Sequence, residues 1–305
     1  MEVKKILITG SNGLLGQTLV RKLKANKAFQ LIATSKGENR ISEKEGYTYD
    51  EMDITSKDSV QAVLEKHQPY VLINTAAMTQ VDQCEERKKD SRTLNVSAVE
   101  YLVKECEKYD THLIQLSTDF IFDGEDGPYK ETDSPFPLSY YGETKLEAEE
   151  IIKNSKSRWA IARTILVYGI VDDMSRSNIV LWAKSALEQK KELRIVNDQF
   201  RSPTYVGDLA DGCILIAEQG ATGIFHLSGK DLMSIVELVQ RVAKYYDLDD
   251  SFIREISSDT LNQAAKRPPK TGFILDKAQK VLGYHPHSFE EGIQLMQEQM
   301  EVEGN

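Results

Sequence analysis

The chain has 305 residues, 40% hydrophobic and 28% charged, with a formal net charge of −10. That length supports one large core or a core with an attached lobe, and the acidic balance disfavours nucleic acid or an anionic membrane as a partner, because a phosphate-rich surface repels the chain overall. No apolar run approaches the ~20 residues of a membrane helix, and Met1 to Lys5 leads straight into the first predicted strand, so a cytoplasmic protein is expected.

Lys5-Ile6-Leu7-Ile8-Thr9 is a short apolar run, Gly10-Ser11-Asn12-Gly13-Leu14-Leu15-Gly16 follows at once, and Gln17 to Lys24 has helical periodicity. Glycines let a backbone turn tightly and approach a pyrophosphate, whose charge suits the N–H groups and positive dipole end of a helix. Gly10, Asn12, Gly13, Leu14, Leu15 and Gly16 are therefore candidate dinucleotide-binding residues, although the first gap is one residue wider than in the common fingerprint. A second strand, Gln30–Thr34, ends where an acidic residue would hold the ribose hydroxyls of NAD. The chain reads Thr34-Ser35-Lys36 instead, two hydroxyls and a cation that suit a 2′-phosphate. NADPH is the expected cofactor, with NADH possible. After a third strand, Tyr47–Met52, the pair Asp53-Ile54 could meet the adenine edge. Asp53 could equally cap the helix predicted from Ser56 to Lys66.

Strands at Tyr70–Asn74, His112–Ser117 and Trp159–Thr164 alternate with helical patterns that include Arg92 to Tyr109, which reads as a doubly wound α/β fold around a parallel sheet. Ligands bind at the carboxyl ends of such strands. Thr118 stands at one, where its hydroxyl can meet a substrate carbonyl, or where Thr118 or Asp119 closes a turn. Gly124 to Pro137, rich in Gly, Pro, Asp and Glu, reads as a loop over the site that could move as a lid. Tyr141 and Lys145 lie four apart on one helix face, setting an ammonium beside a phenol and drawing the tyrosine toward acidity. After Tyr168 the pattern becomes a helix from about Asn178 to Lys190, short strands at Arg194–Val196 and Gly223–Leu227, and helices at Asp208–Glu218, Ile235–Tyr246 and near Phe289. Residues 1–168 are expected to form the dinucleotide-binding domain and 169–305 a smaller substrate-binding lobe, with some segments returning to the main sheet. The three cysteines and five histidines show no metal-ligand spacing, and no metal is assigned.

Gly10-x-x-Gly-x-x-Gly16, Asn74-Thr75-Ala76-Ala77, Ser117-Thr118-Asp119-Phe120-Ile121-Phe122 and Tyr141-x-x-x-Lys145 together resemble the extended short-chain dehydrogenase/reductases over nearly the whole chain. Within that family, the stretch from Ser117 to Gly124, Asp133 through Lys145, and Val196 through Thr204 are similar to the dTDP-4-dehydrorhamnose reductases. The resemblance implies NADPH-dependent reduction of a nucleotide-sugar ketone, with Thr118, Tyr141 and Lys145 catalytic and Ala76, Ala77 and Met78 lining the cofactor. It implies further that Asn178, Gln199, Arg201 and Arg267 grip the nucleotide-sugar, and that Asp82 contacts the sugar or caps the next helix. Leu166 departs from the tryptophan that such reductases often carry. Family members are commonly dimers, so a homodimer is possible. Ala265-Lys266-Arg267-Pro268-Pro269-Lys270 and Phe225 through Gly229 also resemble the regulatory beta subunit of methionine adenosyltransferase, a binding partner on the same fold.

Overall fold

The computed structural model describes residues 3–172 and 177–303. In chain order its strands are β1 (Lys4–Thr9), β2 (Phe29–Ser35), β3 (Thr48–Glu51), β4 (Val71–Asn74), β5 (His112–Thr118), β6 (Trp159–Thr164), β7 (Val167–Tyr168), β8 (Leu193–Val196), β9 (Phe200–Arg201), β10 (Thr204–Tyr205), β11 (Gly223–His226), β12 (Met233–Ser234), β13 (Ile253–Ile256) and β14 (Lys270–Thr271). The helices are α1 (Leu14–Leu23), α2 (Lys57–His67), α3 (Val81–Glu86), α4 (Lys88–Arg92), α5 (Ala98–Lys108), α6 (Tyr140–Lys153), α7 (Ile179–Glu188), α8 (Val206–Gln219), α9 (Ile235–Tyr245), α10 (Asp276–Leu282) and α11 (Phe289–Glu303).

Seven strands pair in the order β11-β6-β5-β4-β1-β2-β3, every neighbour parallel. Successive side chains of a strand point to opposite faces, so a strand covered on both sides is apolar at every position. In β1, Ile6 and Ile8 pack with α1, α8 and α10, while Leu7 packs on the other side against α2, α5 and α6. The fold is a doubly wound Rossmann-like sheet with helices on both faces. Its order reverses between β4 and β1, which opens a crevice at their carboxyl ends.

The C-terminal half is divided between two cores. β11 extends the main sheet beside β6, and Leu209, Cys213 and Ile216 of α8 join the core of α1. The smaller lobe has its own core, in which Val180 and Ala183 of α7 meet Val239 of α9 and Ile293 of α11. Among the described residues no helix is long and apolar enough to cross a membrane.

Local chemistry sets the boundaries that matter to the crevice. Helix α1 starts at Leu14, earlier than its periodicity suggests, because Gly13 is its N-cap. Ser56 caps α2 with its hydroxyl, which leaves Asp53 outside the helix. The predicted Arg92–Tyr109 helix is one rod interrupted by a π-turn at Thr93–Ser97. The first part of the Gly124–Pro137 loop is tied down: Tyr129 stacks on Phe122 with ring centroids 4.1 Å apart and exchanges backbone hydrogen bonds with Gly272 and Ile274, both 2.8 Å. Farther along, Phe136 is 66% exposed.

Candidate active site

The crevice is lined first by the glycine turn. Gly10 has φ +63°, which costs glycine nothing, and a Cβ there would stand 2.9 Å from Thr75 Oγ1 and 3.0 Å from Ala76 N. A side chain at Gly10 would therefore fill the groove between the β1 and β4 ends. No side chain caps α1, no acid occupies its first turn, and the buried Ser11 hydroxyl has no hydrogen-bond partner in the fold. An open groove, an uncapped helix start and an orphaned hydroxyl fit a dinucleotide pyrophosphate. Asn12 shapes the rim: its amide donates to the Glu38 carbonyl at 2.8 Å and accepts from Arg40 N–H at 2.9 Å, drawing the segment after β2 over the turn. Leu14 and Leu15 begin the helix, and Leu15 packs into the core behind it.

The expected 2′-phosphate donors separate. Thr34 is fully buried and its hydroxyl donates to the Ile8 carbonyl at 3.0 Å, so it serves the sheet and does not face the crevice. Ser35 ends β2 half-buried, and the 75% exposed Lys36 lies 2.8 Å from Asp53. Asp53 also accepts from Thr55 N–H and hydroxyl at 2.9 and 2.6 Å. It thus forms a turn and pairs with Lys36, while Ile54 points into the core. The Lys36 ammonium and that turn hold the Asp53 carboxyl below its ordinary range despite partial burial.

Three polar side chains, Thr9, Asn74 and Gln115, cross the strand ends in a buried belt with links of 2.5 and 2.8 Å. Past it, Ala76 and Ala77 lead to Met78, which packs with Cys84 and Tyr141. Sequence reading missed Asn95, 2% exposed in the π-turn. It receives Met78 N–H at 2.8 Å, donates to the Met78 carbonyl at 3.0 Å and reaches Thr144 Oγ1 at 3.2 Å. It thereby fixes the cofactor-side loop against the helix that carries Tyr141. An asparagine inside an otherwise helical run was the available signal, since it competes with the helix backbone and persists there for a reason.

Tyr141 meets Thr118 because α6 starts directly on the turn after β5. Ser139 caps the helix through Gly142 N–H at 3.3 Å, and Gly142 packs so tightly on the Phe120 carbonyl that a Cβ has no room. The Thr118 hydroxyl caps the turn by accepting from Phe120 N–H at 3.2 Å and donates to Asp119 Oδ1 at 3.1 Å, so turn closure and a place in the site coexist. Tyr141 is 7% exposed and packs edge-on against Phe120. The sequence-based expectation of an acidified phenol is corrected here. Burial pushes the Tyr141 phenol well up, and only its hydrogen bond with Thr118 works the other way. The Lys145 ammonium donates to the Leu116 carbonyl at 2.6 Å, and burial brings it down to about 8 against the pull of Glu149.

The expected sugar-binding residues divide in the same way. Arg267 reaches across the mouth to Asp82, with Nη2 2.6 Å from Oδ2, and Asp82 also accepts Ala265 N–H at 3.0 Å. Asp82 does not cap α3, whose N-cap is Gln80; the Arg267 guanidinium holds its carboxyl below the ordinary range. Arg201 is 4% exposed and donates to the carbonyls of Phe200 and Pro268 at 2.7 Å and of Pro269 at 3.3 Å. Its donors are consumed inside the fold, so the expected grip on a diphosphate is corrected to an anchor for the segment carrying Arg267. Asn178 is likewise a helix cap, accepting from Val180 and Leu181 N–H at 3.2 Å and donating to the Gly169 carbonyl at 2.7 Å. Gln199 is buried, its carbonyl receiving Ile235 N–H at 2.9 Å. Leu166 sits with φ +38° between the two large cores. Among the described residues no group of three or more His, Cys, Asp or Glu side chains is placed to hold a metal ion.

A family profile described as the RmlD substrate binding domain matches residues 4–302. The chain is 31% identical over 301 residues to the dTDP-4-dehydrorhamnose reductase of Aggregatibacter actinomycetemcomitans, covering 95% of this chain and 97% of that one. It is 30% identical over 283 residues to methionine adenosyltransferase 2 subunit beta of Xenopus tropicalis, covering 91% and 82%. Among solved structures, the dTDP-4-dehydrorhamnose reductase of Bacillus anthracis strain Ames in complex with NADP superposes with a TM-score of 0.83 at 25% identity, over 98% of this chain and 100% of that one.

Proposed function

This chain belongs to the RmlD substrate binding domain family, and from that premise we propose that it reduces the C4 ketone of a nucleotide-sugar, converting dTDP-4-dehydro-L-rhamnose to dTDP-L-rhamnose with NADPH as the preferred reductant. The observation that carries the reading is the meeting of Thr118 from the end of β5 with Tyr141 and Lys145 from the start of α6, beside a glycine turn built for a pyrophosphate.

Gly10 and Gly13 would leave room for the pyrophosphate, Gly16 lets α1 pack on the Gly10 carbonyl, Ser11 and the first N–H groups of α1 would hold the pyrophosphate, and Lys36 and Ser35 would hold the 2′-phosphate. When bound, the reduced nicotinamide supplies a hydride for the carbonyl carbon. Tyr141, kept protonated by burial, gives its proton to the carbonyl oxygen, while Thr118, in hydrogen-bond contact with Tyr141, holds the phenol in line. Lys145 is largely an ammonium at neutral pH and offsets the phenolate that Tyr141 becomes. Arg267 turns its guanidinium to the sugar diphosphate, a geometry suited to bidentate donors. Phe120 follows Asp119 where a dehydratase would want a second acid or base, which favours simple reduction over elimination.

The test is NADPH oxidation by the purified protein with dTDP-4-dehydro-L-rhamnose generated in situ, beside a Tyr141→Phe control. Turnover lost in the control supports the reading. Dinucleotide binding without turnover on any of several nucleotide-4-ketosugars transfers it to a non-catalytic regulatory role, as the likeness to the methionine adenosyltransferase subunit suggests.

A further inference from the structure

Next to Thr118, Asp119 is 2% exposed and engages each carboxylate oxygen with a different element. Oδ1 receives the Thr118 hydroxyl at 3.1 Å, and Oδ2 receives the hydroxyl of Thr271 in β14. Arg201 Nε stands 3.6 Å from Oδ2, with the two side chains 5% and 3% exposed. The rest of that guanidinium holds the Phe200, Pro268 and Pro269 carbonyls, and Arg267 immediately before Pro268 reaches Asp82. β14 itself pairs with β9, which carries Arg201. A chain of contacts, which includes the covalent bond from Arg267 to Pro268 and the 3.6 Å ion pair of Arg201 with Asp119, therefore runs from the Asp82-paired Arg267 to the hydroxyl beside Tyr141.

We infer that Asp119, Arg201 and Thr271 are positioning residues that tie the strap from Arg267 to Thr271 to the Thr118 hydroxyl, so that seating of the strap over a nucleotide-sugar aims the catalytic hydroxyl. Rotation of a threonine side chain moves its oxygen by more than an ångström, enough to change a rate strongly when alignment matters. Buried Asp119 has one partner for each oxygen and a compensating guanidinium, and any movement of the strap removes a donor from a carboxylate that water does not reach. The two ends consequently move together. The Arg201 substitution itself would leave Asp119 uncompensated and threatens folding, so the informative site is Thr271, fully buried and contributing one hydroxyl.

The inference rests on the reductase reading, and its test is built to separate the two. Thr271→Val keeps the volume and removes the donor, whereas Thr271→Ser keeps the donor. The expected result is a kcat roughly tenfold lower for Thr271→Val with unchanged dinucleotide affinity, largely restored in Thr271→Ser. Hydrogen exchange of the Phe120 amide, which is held by Thr118 Oγ1, is expected to quicken in Thr271→Val and return in Thr271→Ser. Unchanged kcat in Thr271→Val, a loss that serine does not rescue, or a loss matched by weaker dinucleotide binding overturns the tie. A wild type without turnover strikes the reductase reading alone, and the exchange rates then decide the tie, unchanged exchange overturning it.

Discussion

Arg163 clasps Glu149 in a fully buried two-pronged pair, Nε to Oε1 at 2.9 Å and Nη2 to Oε2 at 2.7 Å, one helical turn beyond Lys145. Tyr141, Lys145 and Glu149 thus follow one another down a single face of α6. Burial lowers Lys145 to about 8, and Glu149 opposes that fall. The proposed reduction needs the ammonium and the phenol together, so the rate is expected to be flat below pH 8 and to decline as pH rises through about 8. In Glu149→Gln the opposing charge is gone, the Lys145 pKa drops further, and the alkaline limb moves to lower pH by roughly one unit. A pH–rate profile of both proteins checks this. The unpaired Arg163 also costs about 3–5 kcal/mol of stability, readable by denaturant titration.

Tyr141→Phe keeps the ring packed against Phe120 and removes the hydroxyl that bonds Thr118 and would give the proton. Its kcat is expected to fall by roughly 10²–10⁴ with dinucleotide affinity preserved, which stopped-flow turnover and fluorescence titration measure separately. A matching loss of affinity would assign the hydroxyl to binding.

Lys36 is exposed and Thr34 is spent on the Ile8 carbonyl. Lys36→Ala is expected to weaken NADPH roughly tenfold and leave NADH unchanged. Thr34→Val is expected to leave the NADPH to NADH ratio unchanged. Comparison of KM values for the two cofactors decides between Lys36 and some other donor.

His112, fully buried at the start of β5, has its pKa lowered from 6.5 to about 4, chiefly by burial and then by the Arg158 charge. Between these values the unfolded chain binds the proton and the folded chain does not, so stability falls as pH drops below about 6.5 and the loss is complete near 4. The shift corresponds to about 3 kcal/mol. Buried His226, also lowered by burial, acts in the same direction. Unfolding midpoints measured across this window are expected to slope less steeply in His112→Leu.

Much of the fold was legible because it rests on local pattern. The apolar run before Gly10 and the glycine spacing each fix their element from a few neighbouring residues, and the helix period alone puts Tyr141 and Lys145 on one side. Boundaries slipped where a cap or a π-turn intervened, as at Gly13 and Thr93. Individual site residues were less legible. A hydroxyl or guanidinium reads the same in sequence whether it faces a ligand or a backbone carbonyl, which is why Thr34, Arg201 and Asn178 looked like ligand groups and are bonded inside the fold.

By itself the sequence determined the parallel sheet, the glycine turn between strand and helix and the placement of Tyr141 and Lys145 on one helix face, since these depend on periods of two and 3.6 residues and on short spacings. Only the tertiary structure decided what each polar group faces. It joined Asp119 to Thr271 across 152 positions and Asp82 to Arg267 across 185, and it raised Tyr141 where local spacing implied lowering. Desolvation and long-range pairing depend on everything packed around a group, and no window of neighbouring residues contains that information.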